Sequence, residues 1–319
     1  MGTTSAALSL GALAQTAIQY RKDFLQMPII GIQSTLEHMT LRPGVRYKEI
    51  VGELGGDMQL GPYSETRVDN ADIVVNPRTL ETFLGSVVKN FSPNSVYQSL
   101  WGSSITKGEA LKDTEVSRLV VAFLAGMLGK NLNASIWSAV RKDDGTTTKD
   151  LFNGFDTITA TEIASKTIDA SKGNLKVLSE SISSTNAVDA LKSIYRAASD
   201  ELREQETKMF VSQTIYDAYV DDYQSTVGSV PYNTTFDKTY VEGSMGRCQI
   251  VPLANKKASG YITLSTKGNM LVGVDQFSDA EKIEIEKYAP FVLTFIATMF
   301  FGCQFESISK ERLLIAKLA

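Results

Sequence analysis

Residues 108–140 read GEALKDTEVSRLVVAFLAGMLGKNLNASIWSAV, and this stretch decides the fold. Val116, Leu119, Val120, Phe123, Leu124, Met127, Leu128, Leu132, Ile136 and Val140 recur at steps of three and four, the period of an amphipathic helix. At ~1.5 Å per residue the pattern predicts one helix of about 30 residues, hence about 45 Å long. In a chain of 319 residues such a helix is a spine. Its apolar stripe, Leu124 included, must be covered along its length. Gly126 and Gly129 each cost roughly 1 kcal/mol against Ala inside a helix, so their presence predicts close packing of another backbone. The turn cluster Asp143-Asp144-Gly145-Thr146 is expected to end the helix.

Upstream, from Leu41 to Pro77, Gly44, Gly52, Gly55, Gly56, Gly61 and Pro62 punctuate candidate strands at Val45–Val51 and Ala71–Val75. Two extended runs about a Gly-Gly-Asp turn predict a long hairpin. Few large apolar residues lie between its ends, and a lone two-stranded hairpin is marginal in water. It is read as an arm between molecules or as an ordinary surface loop. Before it, Leu8, Leu10, Leu13, Ala17, Ile18, Phe24 and Leu25 have helix-like spacing that Pro28 stops. That segment is too small to own a core and must pack on the body of its own chain or on a neighbour.

Downstream, Asn186 or Asp189 opens a helix through Ala190, Leu191, Ile194, Tyr195, Ala198 and Leu202. Met209-Phe210-Val211 reads as a buried strand, and Ser212 caps a helix carrying Ile215, Tyr216, Tyr219 and Tyr223 on one face. Strands follow at Cys248–Leu253, Tyr261–Ser265, Met270–Val274 and Phe291–Phe301, with turns at Ser259-Gly260 and Lys267-Gly268-Asn269. Ser278 is placed to cap a short helix over Asp279–Tyr288, although the alternation of Ile283 and Ile285 also suits a strand. The class is α+β.

Composition excludes much. Lys and Arg number 32 against 36 Asp and Glu, a net charge of -4, whereas strong nucleic-acid binding calls for a basic excess. Two cysteines, Cys248 and Cys303, are too few for a disulfide scaffold or a thiolate cage and are read as buried, inert thiols. One histidine, His38, argues against histidine-based catalysis or metal chemistry. Residues 5–18 are apolar and small, but Arg21 and Lys22 follow them, the reverse of a secretion signal. The apolar run at 291–302 is shorter than the ~20 residues of a spanning helix. The chain is read as soluble and unanchored.

No G-x-G-x-x-G follows a strand, and no Walker loop, G-x-S-x-G elbow or H-E-x-x-H occurs. The acidic doublets Asp143-Asp144 and Asp221-Asp222, and Glu37 beside His38, are read as solvated. Lys256-Lys257 is read as a loop doublet. No catalytic, cofactor-binding or metal residue is assigned, and no cofactor is expected.

Taken in order, these elements resemble the Hong Kong 97-type fold of tailed-phage major capsid proteins. Residues 41–49 (LRPGVRYKE) look like the start of the extended loop in capsid proteins of phages and prophages of Bacteroides-like bacteria. Residues 91–99 (FSPNSVYQS) and 107–110 (KGEA) resemble the approach to their spine helix. Residues 131–137 (NLNASIW) and 150–156 (DLFNGFD) resemble the spine's end and the start of the axial domain. Residues 269–275 (NMLVGVD) and 301–304 (FGCQ) look like the closing strands.

The resemblance implies an amino-terminal arm at 1–43, an extended loop at 44–78 and a peripheral domain with the spine at 79–150. An axial domain at 151–247 and returning peripheral strands at 248–319 complete it. It further implies hexamers and pentamers forming an icosahedral shell around double-stranded DNA, with loop and arm clasping neighbours. Portal and scaffold or decoration proteins would be partners, DNA contact would be weak, and the shell would assemble in the host cytoplasm. Some relatives cross-link through a loop lysine. Lys48 is the nearby lysine, and no motif identifies an Asn or Glu partner. Only about 40 residues precede the loop, so a separate scaffold or none is expected rather than a processed leader. The alternatives are an encapsulin-like nanocompartment, another phage structural protein, and an α+β enzyme using Asp143, Asp144, Asp221 or Asp222.

Overall fold

The computed structural model describes residues 34–56, 63, 73–91, 114–227, 239–275, 282–289 and 292–319. The amino-terminal pattern of residues 1–27, the stretches Ser92–Ser99 and Lys107–Ala110, and the first turn of the expected spine lie outside them. Strands β1 (Thr40–Pro43), β2 (Lys48–Gly56), β3 (Ile73–Glu81) and β4 (Phe83–Phe91) come first. Helices α1 (Thr114–Ser135) and α2 (Phe155–Ala164) follow, then β5 (Leu175–Val177), α3 (Ala187–Ala197), α4 (Asp200–Glu204), β6 (Thr207–Ser212) and α5 (Gln213–Val227). The chain closes with β7 (Cys248–Leu253), β8 (Tyr261–Ser265), β9 (Met270–Val274), β10 (Lys282–Ala289), β11 (Val292–Phe305) and β12 (Leu313–Lys317).

Helix α1 is described over 22 residues, about 33 Å at ~1.5 Å per residue. It ends at Ser135 rather than at Val140, because Ile136 to Ala139 turn to meet the next element. The amides of Gly154, Phe155 and Asp156 bond to the carbonyls of Ala139, Ile136 and Trp137. Among the described side chains of α1, Ala125, Gly129 and Leu132 are buried on one stripe, and Ile136 continues it just beyond the helix. Leu124 and Leu128 are half-buried, and Phe123 and Met127 are exposed. The helix is apolar on more than one face, and the sequence reading merged two stripes into one. A Cβ added at Gly126 would meet nothing within 4 Å, so the backbone expected against it is not supplied by the described chain.

Among the described residues, two five-stranded sheets and one ribbon carry the strands. The first sheet has the order β1-β9-β11-β10, with β4 also on β11, and the second runs β5-β12-β8-β6-β7. The returning strands at 248–319 therefore divide between sheets: β9, β10 and β11 join the first, while β7, β8 and β12 complete the second. Strand β12 is buried on both faces. Leu313 and Ile315 enter the core shared with Phe152, Phe155, Phe301 and Phe305. Leu314 and Ala316 enter a second core with Leu191, Ile194 and Tyr219 of α3 and α5. A strand apolar at every position needs cover on both faces. Residues 282–289 form strand β10, the alternative that the alternation allowed.

The helix expected from 186 to 202 is interrupted. Ser199 accepts a hydrogen bond from the Leu202 amide at 3.2 Å and so caps α4, and α3 stops at Ala197. Ser212 caps α5 as expected, through the Ile215 amide at 3.3 Å.

Candidate interaction surfaces

The hairpin exists as a two-stranded ribbon, β2 against β3, in register Lys48↔Glu81 through Gly56↔Ile73. Against the expected Val45–Val51 and Ala71–Val75, β2 begins later and runs on to Gly56, while β3 begins at Ile73 and runs on to Glu81. Thr82 alone separates β3 from β4. Its hydroxyl donates to the Val45 carbonyl at 3.0 Å and its amide to the Tyr47 carbonyl at 2.8 Å. This crossing lies directly over β9 and β11, where Gly273 pairs with Gly302. A Cβ at Gly302 would overlap the Glu81 carbonyl oxygen, and one at Gly273 would lie 2.8 Å from Thr82 Cγ2. The two glycines thus make the bed on which the ribbon's root rests, a role for the NMLVGVD and FGCQ stretches that periodicity does not reveal.

Charges pin the root. Arg46 Nε is 2.7 Å from Asp275, which is almost wholly buried. Arg78 donates to Glu162 of α2 at 2.6 Å, to Gln304 at 3.0 Å and to the Phe305 carbonyl at 3.1 Å. Burial alone would raise the Glu162 pKa, but hydrogen bonds from Thr167 and Arg78 and the Arg78 charge outweigh it and hold it below the ordinary value. Glu53 reaches Arg312 at 3.8 Å and Ser309 at 3.2 Å. Lys48 meets Glu81 across the register at 2.7 Å. Farther from the Thr82 crossing, Ile50 is 79% exposed and Val75 60%. The ribbon is gripped by its own body at the root through these polar contacts and through an apolar cluster of Val45, Val51, Leu80 and Leu271, and part of its apolar surface is left in water.

Where α1 ends, α2 begins and β7 gives way to its following turn, Lys256 is fully buried. Its Nζ is 3.0 Å from Asp156 and 3.7 Å from the centroid of the Trp137 ring. Burial pushes the Lys256 pKa down, and Asp156 partly restores it. Reading Lys256 as a loop residue missed this, because its partners lie about 100 residues away. Asp222 is likewise buried rather than solvated: it accepts the Val188 amide at 2.7 Å and so serves the amino end of α3. Asp221, Asp143 and Asp144 are exposed, and the two doublets are not brought together. Asp143 pairs with Arg141, and Asp222 faces α3. His38 is half-buried with Nδ1 3.0 Å from Lys208 Nζ, while Glu37 is exposed.

Both thiols are buried; burial raises the Cys248 pKa to about 12 and pushes Cys303 up as well. Among the described residues no group of three His, Cys, Asp or Glu side chains is placed to hold a metal. None of their helices is long and apolar enough to cross a membrane. A cleft of about 400 Å³ lies among Ser34, His38, Asn133, Tyr216 and Asn255, and no carboxylate lines it.

No protein-family model and no curated protein matches the sequence. Solved structures do match it. The capsid of an empty GTA particle shares 13% identity over 90% of each chain, with a TM-score of 0.57. The capsid of cyanophage A-1(L) shares 12% over 92% of each chain, with a TM-score of 0.56. The SrpI encapsulin from Synechococcus elongatus PCC 7942 shares 9%, covering 89% of this chain and 86% of that one, with a TM-score of 0.52. Identities this low speak for architecture alone. With its spine helix, rooted ribbon and paired closing strands, the chain has the Hong Kong 97-type fold, an α+β architecture.

Proposed function

We propose that this protein is a shell-forming subunit, the major capsid protein of a tailed phage. The observation that carries the reading is the ribbon β2–β3, built on a fold whose solved examples include the capsids of a GTA particle and of a cyanophage. It is anchored by ion pairs at its root and presents Ile50 and Val75 to solvent. Buried apolar surface is worth roughly 25 cal/mol per Å², so an exposed ribbon of this kind gains stability when a neighbouring copy covers it. The domain division follows: arm at 1–43, extended loop at 44–78, peripheral domain at 79–150 and 248–319, axial domain at 151–247. The closing strands β7, β8 and β12 are lent to the axial sheet. Hexamers and pentamers enclosing double-stranded DNA, a portal, weak DNA contact at a net charge of -4 and assembly in the host cytoplasm complete the proposal. So does the narrower likeness to phages of Bacteroides-like bacteria.

The test shortens the ribbon without touching its root. Glu53 pairs with Asn76, so replacing residues 54–75 with Asn-Gly closes a tight two-residue turn there. Negative-stain microscopy should show closed shells from the full chain and none from the shortened one, with circular dichroism otherwise retained. Shells from the shortened chain refute the clasp, and tubes or rings from the full chain indicate a tail component. The encapsulin match supports a second reading, a cargo compartment. Shells purified from the native source that hold protein cargo rather than DNA would establish it.

A further inference from the structure

Residues 34–39 form a strap that ties the start of β1 to α1 and to the second sheet. Thr35 is buried and donates to the Asn133 side chain of α1 at 2.7 Å. Met39 enters the core shared with Phe210 and Phe301, and just beyond it the Thr40 hydroxyl donates to the Lys267 carbonyl at 3.0 Å. Between these fastenings His38 lies half-buried. Its ring meets Phe210 of β6 edge-on, with centroids 6.5 Å apart, and its Nδ1 is 3.0 Å from Lys208 Nζ.

That last contact admits one protonation state. An ammonium group only donates, so Nδ1 must accept, and the ring must be neutral with its proton on Nε2. A protonated ring carries N–H on both nitrogens and would turn a donor and a positive charge toward another. A second lysine stands close by. Lys208 is opposite Ser265 in the register of β6 and β8, and Lys267 follows two residues later, its carbonyl holding Thr40. The charged groups facing His38 are thus Lys208 of β6, Lys267 of the turn before β9 and, from the strap itself, Glu37. Both lysines oppose a charge on the ring and Glu37 alone favours it; Glu206 acts on Lys208.

We propose that the His38–Lys208 contact is an acid-sensitive clasp, in which protonation of the imidazole sets two cations against each other and loosens the strap from β6 while the sheets stay folded. In a released strap the ring regains its ordinary 6.5. Acidification from there down through the lower clasped value therefore favours release. The clasp belongs to the single subunit, so it stands or falls separately from shell formation.

The test follows hydrogen exchange in the full chain at about pH 7.5 and about pH 5, on either side of the ordinary histidine range, with intrinsic rates corrected. The amides of His38 and Met39, which bond to the Thr35 and Leu36 carbonyls within the strap, report release, and the strand amides of β6 report the body. Protection of the strap amides should fall several-fold on acidification while that of β6 holds. His38→Gln stays neutral and can still accept from Lys208 through its side-chain oxygen, so it should abolish the fall. Lys208→Met should shrink it and move the imidazole titration up toward 6.5. Strap protection that does not change, a fall shared equally by β6, or a fall that persists in full in either variant overturns the proposal.

Discussion

Lys256→Met isolates the charge at the junction of α1, α2 and β7 while keeping a long side chain in place. The ammonium is out of solvent, 3.0 Å from Asp156, and the Asp156 side chain is only 13% exposed. Removing the cation leaves a carboxylate in an apolar setting beside Trp137. Breaking a buried pair this way costs about 3–5 kcal/mol, and the lost contact with the indole face is contained in that figure. Deleting both charges with Lys256→Met and Asp156→Asn should recover most of the loss, ending within about 1 kcal/mol of the natural chain. Urea unfolding followed by tryptophan fluorescence, at concentrations too low for assembly, measures all four forms. Coupling between the substitutions of at least about 2 kcal/mol is expected. A single variant within about 1 kcal/mol of the natural chain, or simple additivity, would refute the assignment of Lys256 as a paired buried charge.

Gly302→Ala drives a methyl group into the Glu81 carbonyl. It should cost about 1–3 kcal/mol or more as an overpacked contact, and it should raise amide exchange at Thr82; unchanged exchange there would argue that the ribbon's root does not rest on β11. Glu162 has a folded pKa below its ordinary 4.5. Its contribution is therefore present above 4.5 and lost as pH falls from there through the folded value. Arg78→Met should lower neutral-pH stability and flatten that acid limb, and an unaltered limb in pH-dependent urea titrations would count against the pair. His38 is held below 6.5 by burial first and then by the Lys208 charge. A base with a lowered folded pKa loses stability on acidification from 6.5 through the folded value. As the sole histidine, its imidazole resonance titrates without overlap, and a midpoint at or above 6.5 would contradict the contact with Lys208.

Local pattern made several strands legible, in both sheets. Cys248–Leu253, Tyr261–Ser265 and Met270–Val274 coincide with β7, β8 and β9, because each is an apolar run bounded by turn residues. Sheet membership was not legible, since a run buried on both faces does not name its neighbours. The phase of α1 was misread for a related reason. Val116 through Ile136 contains apolar residues over much of the helix circumference, and only tertiary contacts say that Ala125 and Leu132 face inward while Phe123 and Met127 do not.

The polar features escaped the sequence for a physical reason that also bears on function. Arg46–Asp275, Arg78–Glu162 and Lys256–Asp156 join residues 84 to 229 positions apart, so no local spacing announces them. Two of the three fasten the root of the ribbon to the sheet or to α2. A surface ion pair contributes little in water, but these have a partner withdrawn from solvent, where geometry matters more. With the apolar cluster of Val45, Val51, Leu80 and Leu271 they fix the direction in which the ribbon leaves the body, and Ile50 and Val75 stay in water. In the proposed shell, a subunit whose projection is held at its root and left apolar at Ile50 and Val75 would be prepared for docking before a neighbour arrives. Such preorganisation lowers the ordering cost of association. On this argument Arg78→Met should slow shell formation more than it lowers subunit stability, and light scattering compared with urea unfolding of the same variant separates the two. Equal proportional effects would mean that the ion pair serves folding alone.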